Sequence, residues 1–360
     1  MFNKTRTAFI ALLGLNSAVV AQPTATQTTA GRTPAAPTCT LPKIADTAPL
    51  EQLPGTDLVT VPVAINGTPK QFLLDIGLKR PTQISPESVA KLGLPEPAYA
   101  GQQAFRGRGG VISTPGYLDV RVYDTRSGLG SGSQHDRVGV GSLGIGNATG
   151  HHLQFTIANE GDIARSASYD GYLTGDFFRQ YDVELDFAGK QVNWLTPTSC
   201  IDPDQVVFWA HSGVAVIPVS LAPDGRYQMQ ATVNGHVINA EIDTSSPHTV
   251  MRRDIADRYV GLTAGKDMAP LGNSKDGMGV QIYVSNFPQI TFAGGGVTAE
   301  NVPVLIQDYS MIPSIDRHFA VGHREPSERI PDLAIGMDVL HNLHMYVVPG
   351  QGRVYVTSAE

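Results

Sequence analysis

FLLDIG at residues 72–77 and AEIDTS at residues 240–245 are two versions of one pattern. Each runs an apolar strand into an aspartate, Asp75 or Asp243, and then into a tight turn. Each is preceded by an Asn-Gly pair at the same eight-residue offset, Gly67 before Asp75 and Gly235 before Asp243. Asn-Gly between alternating apolar residues is a strong hairpin signal. A carboxylate at the tip of a buried strand costs free energy unless something pairs with it or uses it. Two of them, on two copies of one pattern, make each the other's candidate partner.

The repetition extends outward in both directions. VPV at residues 61–63 returns as IPV at 217–219, and INGTPKQFLLD as VNGHVINAEID. A short helix with Ser85 as N-cap, Pro86 in its first turn and Gly93 as C-cap is matched by DIADRYVGL at 254–262. FRGRGG at 105–110 is matched by DGMG at 276–279, with Gly109 and Gly277 each 34 residues past their aspartate. DGYLTGDFF at 170–178 is matched by DLAIGMDVL at 332–340, and a two-strand hairpin follows both. Five matches in the same order predict a tandem duplication of a mostly β unit. The Gly- and Ser-rich stretch 128–150 reads as loops with one or two short strands.

Composition agrees with an all-β class. Only 16% of residues are charged, while 38 are Gly and 25 are Pro, which favours turns over long helices. Residues 1–21 read as a signal peptide, with basic Lys4 and Arg6 before an apolar run that is too short to span a bilayer. Residues 22–49, rich in Thr, Ala and Pro, read as a disordered tether. The predicted division continues with a first lobe at 50–200, a linker at 201–212 and a second lobe at 213–360. Losing Lys4 and Arg6 would deepen the formal net charge of −7, and no basic stripe exists, so nucleic acid is not an expected partner. After signal removal no membrane contact is expected either, and the predicted location is periplasmic or secreted. There Cys39 and Cys200 would pair, although two free thiols are the alternative.

Other motifs carry less. Gly139 to Gly144 fits GxGxxG, yet Gly146 and Gly150 follow where a helix should begin. Ser88 to Lys91 fits SxxK without KTG or SDN beside it. His341 and His344, or His318 and His323, lack HExxH or a placed carboxylate, so no metal or other cofactor is expected. His248, close after Asp243, reads as a solvent-facing loop residue.

Two carboxylates across a pseudo-two-fold axis do not both ionise easily and titrate as a unit. Such a pair can hold a water, take its proton, and donate to a developing oxyanion. Here the sequence resembles the bacterial retropepsin-like aspartic proteases, with two copies fused as in the bilobal pepsin-like arrangement. The resemblance covers roughly residues 58–195 and 213–357. It rests on FLLDIG, AEIDTSSPHTVM, DGYLTGDFFRQYDVELDF, DLAIGMDVLHNLHMYVV and the Gly-rich segments.

The resemblance implies two acid-protease lobes and an aspartic endopeptidase with Asp75 and Asp243 as its catalytic dyad. Gly77, Thr244 and Ser246 would support the dyad. Flaps carrying Arg106, Gly107, Gly109, Gly277 and Gly279 would cover an extended peptide or unfolded protein bound by a monomer. Three positions depart from the family. Ile76 and Ser245 replace the usual Thr/Ser and Gly, with strain expected at Ser245, and Thr174 stands where the second repeat has Gly336. These departures keep two alternatives open: a pseudo-protease that binds peptides without cutting them, and a structural envelope protein whose aspartates cap turns.

Overall fold

The computed structural model describes residues 39–76, 82–94, 137–158, 168–175, 181–210, 213–221, 226–273, 281–294, 296–308 and 331–359. In the first half lie β1 (Ile44–Pro49), β2 (Glu51–Gln52), β3 (Val59–Ile65), β4 (Thr68–Asp75) and β5 (Gln83–Ile84). Helix α1 (Pro86–Leu92), β6 (Arg137–Ile145), β7 (Ala148–Ile157), β8 (Gly171–Thr174), β9 (Asp182–Asp186) and β10 (Gln191–Leu195) follow. A short α2 (Pro203–Val206) leads to β11 (Ala215–Pro218), β12 (Ser220–Leu221), β13 (Tyr227–Val233), β14 (His236–Ile242) and β15 (Val250–Arg252). Then come α3 (Arg253–Ile255), a π turn (Ala256–Val260), β16 (Ala269–Asn273), β17 (Gln281–Phe292) and β18 (Thr298–Asp308). The chain closes with β19 (Leu333–Ile335), α4 (Met337–Leu340), β20 (Leu343–Val348) and β21 (Arg353–Ser358).

The duplication is visible in the strand orders. One lobe is a seven-stranded sheet ordered β2-β3-β4-β8-β5-β7-β6, closed by β3 pairing with β6. The other is ordered β12-β13-β14-β19-β15-β18-β17-β16, closed by β13 pairing with β17. Element for element the orders agree, with β16 added at one end. In both lobes the Asp-bearing strand pairs in parallel with a later strand, β4 with β8 and β14 with β19. A third sheet, ordered β1-β10-β9-β20-β21-β11, takes three strands from each half. Its palindromic order puts the pseudo-two-fold between β9 and β20.

Local sequence accounts for the turns that set this register. Asn66 and Gly67 have φ of 49° and 80°, and Asn234 and Gly235 have 48° and 79°. Positive φ at both central residues is what a twisted two-residue hairpin requires. Helix α1 is capped as expected: the Ser85 side chain accepts from the Ser88 N–H, and Gly93 ends it at φ 57°. GVGSLG lies inside β6, an ordinary strand. Residues 137–157 form one long hairpin, not loops with short strands, because Val138, Val140, Leu143 and Ile145 are all buried. Periodicity outweighs glycine content there.

Two predicted boundaries are corrected. The tether was expected to reach residue 49, but Ile44–Pro49 pairs with β10 and buries Ala48. An open strand edge and an apolar contact are enough to order it. The expected linker at 201–212 carries α2, buries Val206 and Val207, and lays Trp209 flat on His344 at 4.1 Å. The rest of the predicted tether, the signal segment and residues 211–212 lie outside the described residues. Cys39 and Cys200 form a disulfide over a sequence separation of 161. Closing a loop of that length removes about 5 kcal/mol of denatured-chain entropy in the chain-entropy model.

The position of β4 depends on Asp170, just ahead of β8. Its carboxylate accepts from Lys70 Nζ at 2.9 Å, the Gln71 N–H at 3.1 Å and Ser88 Oγ at 2.7 Å. One side chain therefore ties β4, α1 and β8 together. Burial acts to raise the Asp170 carboxyl, but the hydrogen bonds from Ser88, Lys70 and Gln71 outweigh it and hold it below the usual range. A depressed carboxyl stabilises the fold above the unfolded-state value and loses that contribution as pH falls through the folded one. Ser88→Ala should therefore destabilise the protein by about 1–2 kcal/mol near neutral pH. In urea titrations the gap to wild type should close below about pH 4; a gap independent of pH would contradict the assignment.

Candidate active site

Both sequence-predicted aspartates stand at the ends of central strands. β4 has neighbours on both edges, so Phe72, Leu73 and Leu74 are all buried. Asp75 is the last residue of that strand, 1% exposed, in parallel register with Thr174 of β8. Asp243 follows β14 directly, is half-buried, and donates its N–H to the Ile335 carbonyl at 2.9 Å. The register of each Asp-bearing strand on its parallel partner thus fixes where each carboxylate emerges.

Thr244 joins the two loops. Its side chain is fully buried; Oγ1 accepts from the Ile76 N–H at 3.1 Å and donates to the Leu74 carbonyl at 3.0 Å. These two backbone groups flank Asp75. A single hydroxyl from the second lobe therefore holds the first-lobe chain on both sides of its aspartate. The reciprocal hydroxyl is missing, because Ile76 occupies that position and is itself buried at 3% exposure. The tie between the lobes is one-sided.

The Asp243 loop is closed by its own residues. Ser245 donates twice to Asp243 Oδ1, from its N–H at 3.1 Å and from Oγ at 2.8 Å. The expected strain at Ser245 is absent. The described non-glycine residues with positive φ are Asn66, His152, Lys190, Asn234 and Asn301, so Ser245 sits in ordinary backbone that needs no glycine. Ser246, predicted to support the dyad, acts on the loop: its Oγ donates to the His248 carbonyl at 2.7 Å, and its own carbonyl accepts from the Met337 N–H at 2.8 Å. His248 is exposed, 3.9 Å from Asp338.

Behind this loop lies a pair that sequence reasoning overlooked. Thr249 is buried; its Oγ1 donates to Asp338 Oδ1 at 2.7 Å and accepts from the Gly336 N–H at 3.1 Å. The Thr249 N–H also donates to Asp338 Oδ2 at 2.9 Å. Gly336 must be glycine, since a Cβ would lie 2.4 Å from the His248 carbonyl. The first lobe has Thr82 in the register of Thr249 and Thr174 in that of Gly336. A detectable signal existed in PT at 81–82 and HT at 248–249, one position ahead of β5 and β15.

Gly77 and the expected flap residues Arg106, Gly107, Gly109, Gly277 and Gly279 lie outside the described residues. Among the sequence-predicted site residues that are described, Asp75, Asp243, Thr244 and Ser246, the structure joins the two aspartate loops through Thr244. Replacing Thr244 with Val would leave the Ile76 N–H and Leu74 carbonyl without that partner. We expect Thr244→Val to cost about 2–4 kcal/mol in denaturant unfolding, and Thr244→Ser to cost less than half as much. Equal losses would assign the effect to packing of the methyl group.

The aspartyl protease family model matches residues 229–339, from β13 to α4, a span that includes Asp243 and Thr244. No curated protein matches the chain. Among solved structures, the chain is similar to basic 7S globulin from soybean, at 12% identity and TM-score 0.48, over 87% of this chain and 95% of that one. An aspartic proteinase from Irpex lacteus is similar at 11% identity and TM-score 0.43, over 87% and 96%. A retropepsin-like aspartic protease from Rickettsia conorii is similar at 13% identity and TM-score 0.28, over 41% of this chain and 94% of that one. Through residues 229–339, which hold Asp243 and its loop, the chain belongs to the retropepsin-like aspartic protease family.

Proposed function

We propose that the chain is an aspartic endopeptidase that hydrolyses peptide bonds with a water held between Asp75 and Asp243. The observation that carries this reading is the Thr244 hydroxyl, which ties the backbone on both sides of Asp75 to the residue after Asp243. A stabilising contact placed at that point has a use if the two carboxylates work together. Both come from one chain, so a monomer suffices.

The chemistry follows from two carboxylates sharing one proton. The ionised member takes a proton from the water as its oxygen bonds to the carbonyl carbon. The protonated member gives its proton to the carbonyl oxygen, which would otherwise carry the charge. Collapse of the tetrahedral species breaks the C–N bond. The proton taken from water then passes to the leaving nitrogen, and the dyad regains its single proton from the other hydroxyl. No covalent intermediate is needed. The substrate class is an extended peptide or unfolded protein, and the disulfide between Cys39 and Cys200 favours a periplasmic or secreted location.

A second reading has one specific observation in its favour. Ile76 removes the reciprocal hydroxyl, so the dyad is held from one side only, as suits a protein that binds peptides without cutting them. Cleavage of an unfolded protein, assayed from about pH 3 to about pH 8, separates the two. The endopeptidase reading expects Asp75→Asn and Asp243→Asn, each alone, to lower the rate by about 100-fold or more. Full activity in either variant would remove the dyad, and an inactive wild type that still binds peptide would favour the second reading.

A further inference from the structure

Ser245 differs from its counterpart in a way that bears on the chemistry. The position two residues after Asp243 is a serine, whereas the position two residues after Asp75 is Gly77, which has no side chain. The Ser245 hydroxyl lies 2.8 Å from Asp243 Oδ1, and its N–H lies 3.1 Å from the same oxygen. Two donors therefore converge on one carboxylate oxygen of one aspartate. The backbone conformation does not call for a glycine there, so the hydroxyl is accommodated without strain.

Donors aimed at a carboxylate favour its charged form, and hydrogen bonds to an ionised acceptor are the stronger kind. Burial disfavours charge, and it is unequal across the site: Asp75 is 1% exposed, whereas Asp243 is half-buried. The other charged groups near the Asp243 loop do not override this arrangement. Asp338 is taken up by Thr249, and His248 faces solvent. Glu241, two residues earlier on β14, is held by Arg226 and Gln228 of the neighbouring strand. Asp332, ahead of β19, faces Arg252 and Asn239.

We propose that Ser245 is a positioning residue that keeps Asp243 as the ionised member of the dyad, so that Asp243 is the base and Asp75 carries the shared proton. The inference rests on the endopeptidase reading for its kinetic consequence, but its electrostatic part does not. The proton balance is that of the reaction above, with each role now tied to one residue. Acidification ends activity when Asp243 takes up the second proton, and the Ser245 hydroxyl opposes that step.

The test uses the full chain and three variants, Ser245→Ala, Ser245→Gly and Ser245→Thr. In the pH profile of kcat/KM, Ala and Gly should move the acid limb upward by about one pH unit. That is about a tenfold loss below the limb, with little change on the plateau. Thr, which keeps a hydroxyl, should restore the wild-type limb. In parallel, the Asp243 carboxyl carbon is followed by NMR, assigned through Asp243→Asn, and should titrate at higher pH in Ser245→Ala. An unmoved limb together with an unmoved titration overturns the proposal. If wild type shows no cleavage, the endopeptidase reading fails, and the carboxyl titration alone still decides the role of Ser245. A moved titration in both Ala and Gly upholds it, and an unmoved one ends it.

Discussion

A single buried hydroxyl, on Thr244, holds the backbone on both sides of Asp75 and stands next to Asp243. The rest of the fold can be understood as the scaffold that delivers it there. β4 and β14 must each end at the same height on a parallel partner, or Thr244 would miss the Leu74 carbonyl and Ile76 N–H. That height is set in the first lobe by Asp170 gripping Lys70, Gln71 and Ser88. In the second lobe, Asp332 makes a similar link to Asn239 and Arg252. Misplacement by a residue would turn every side chain of the strand to its other face.

The lobes are joined a second time through the shared six-stranded sheet. β9 of the first half pairs with β20 of the second, and polar groups buried across this seam are well satisfied. His344 Nε2 lies 2.8 Å from Glu184, whose other oxygen accepts from Asn193 at 2.8 Å. Tyr346 donates to Asp182 at 3.0 Å, and the Thr198 N–H donates to the same oxygen at 2.9 Å. Burial raises the Asp182 carboxyl even so, since these two donors offset only part of the desolvation. Trp209 covers the cluster and anchors itself on Thr357. Desolvated polar networks of this kind cost much when half-satisfied, so they fix the register between the two halves.

Much of this was legible in the sequence because duplication writes the same physics twice. Asn-Gly at a constant offset located both hairpins, and Ser85, Pro86 and Gly93 marked both ends of α1. Asp75, Asp243 and Thr244 were legible for the same reason. What escaped were effects that depend on which residue reaches which across space. Ser245 read as a strained substitute for glycine, since only the backbone reveals an ordinary φ and a hydroxyl turned to Asp243. Ile44–Pro49 read as tether because nothing local announces the open edge of β10. Trp209 and Val206 read as linker because their partners, His344 and the central sheet, are far away in the chain. Thr249 and Asp338 were missed because their link spans 89 residues.

The central claim is that Asp75 and Asp243 act as one site. Calorimetric titration of the purified chain with a statine-type peptide, whose hydroxyl mimics the tetrahedral oxygen, addresses this most directly. The account predicts one peptide bound per chain, with binding lost when either aspartate alone is changed to asparagine. Binding that survives the loss of one aspartate, or no binding by wild type at any pH, would contradict it.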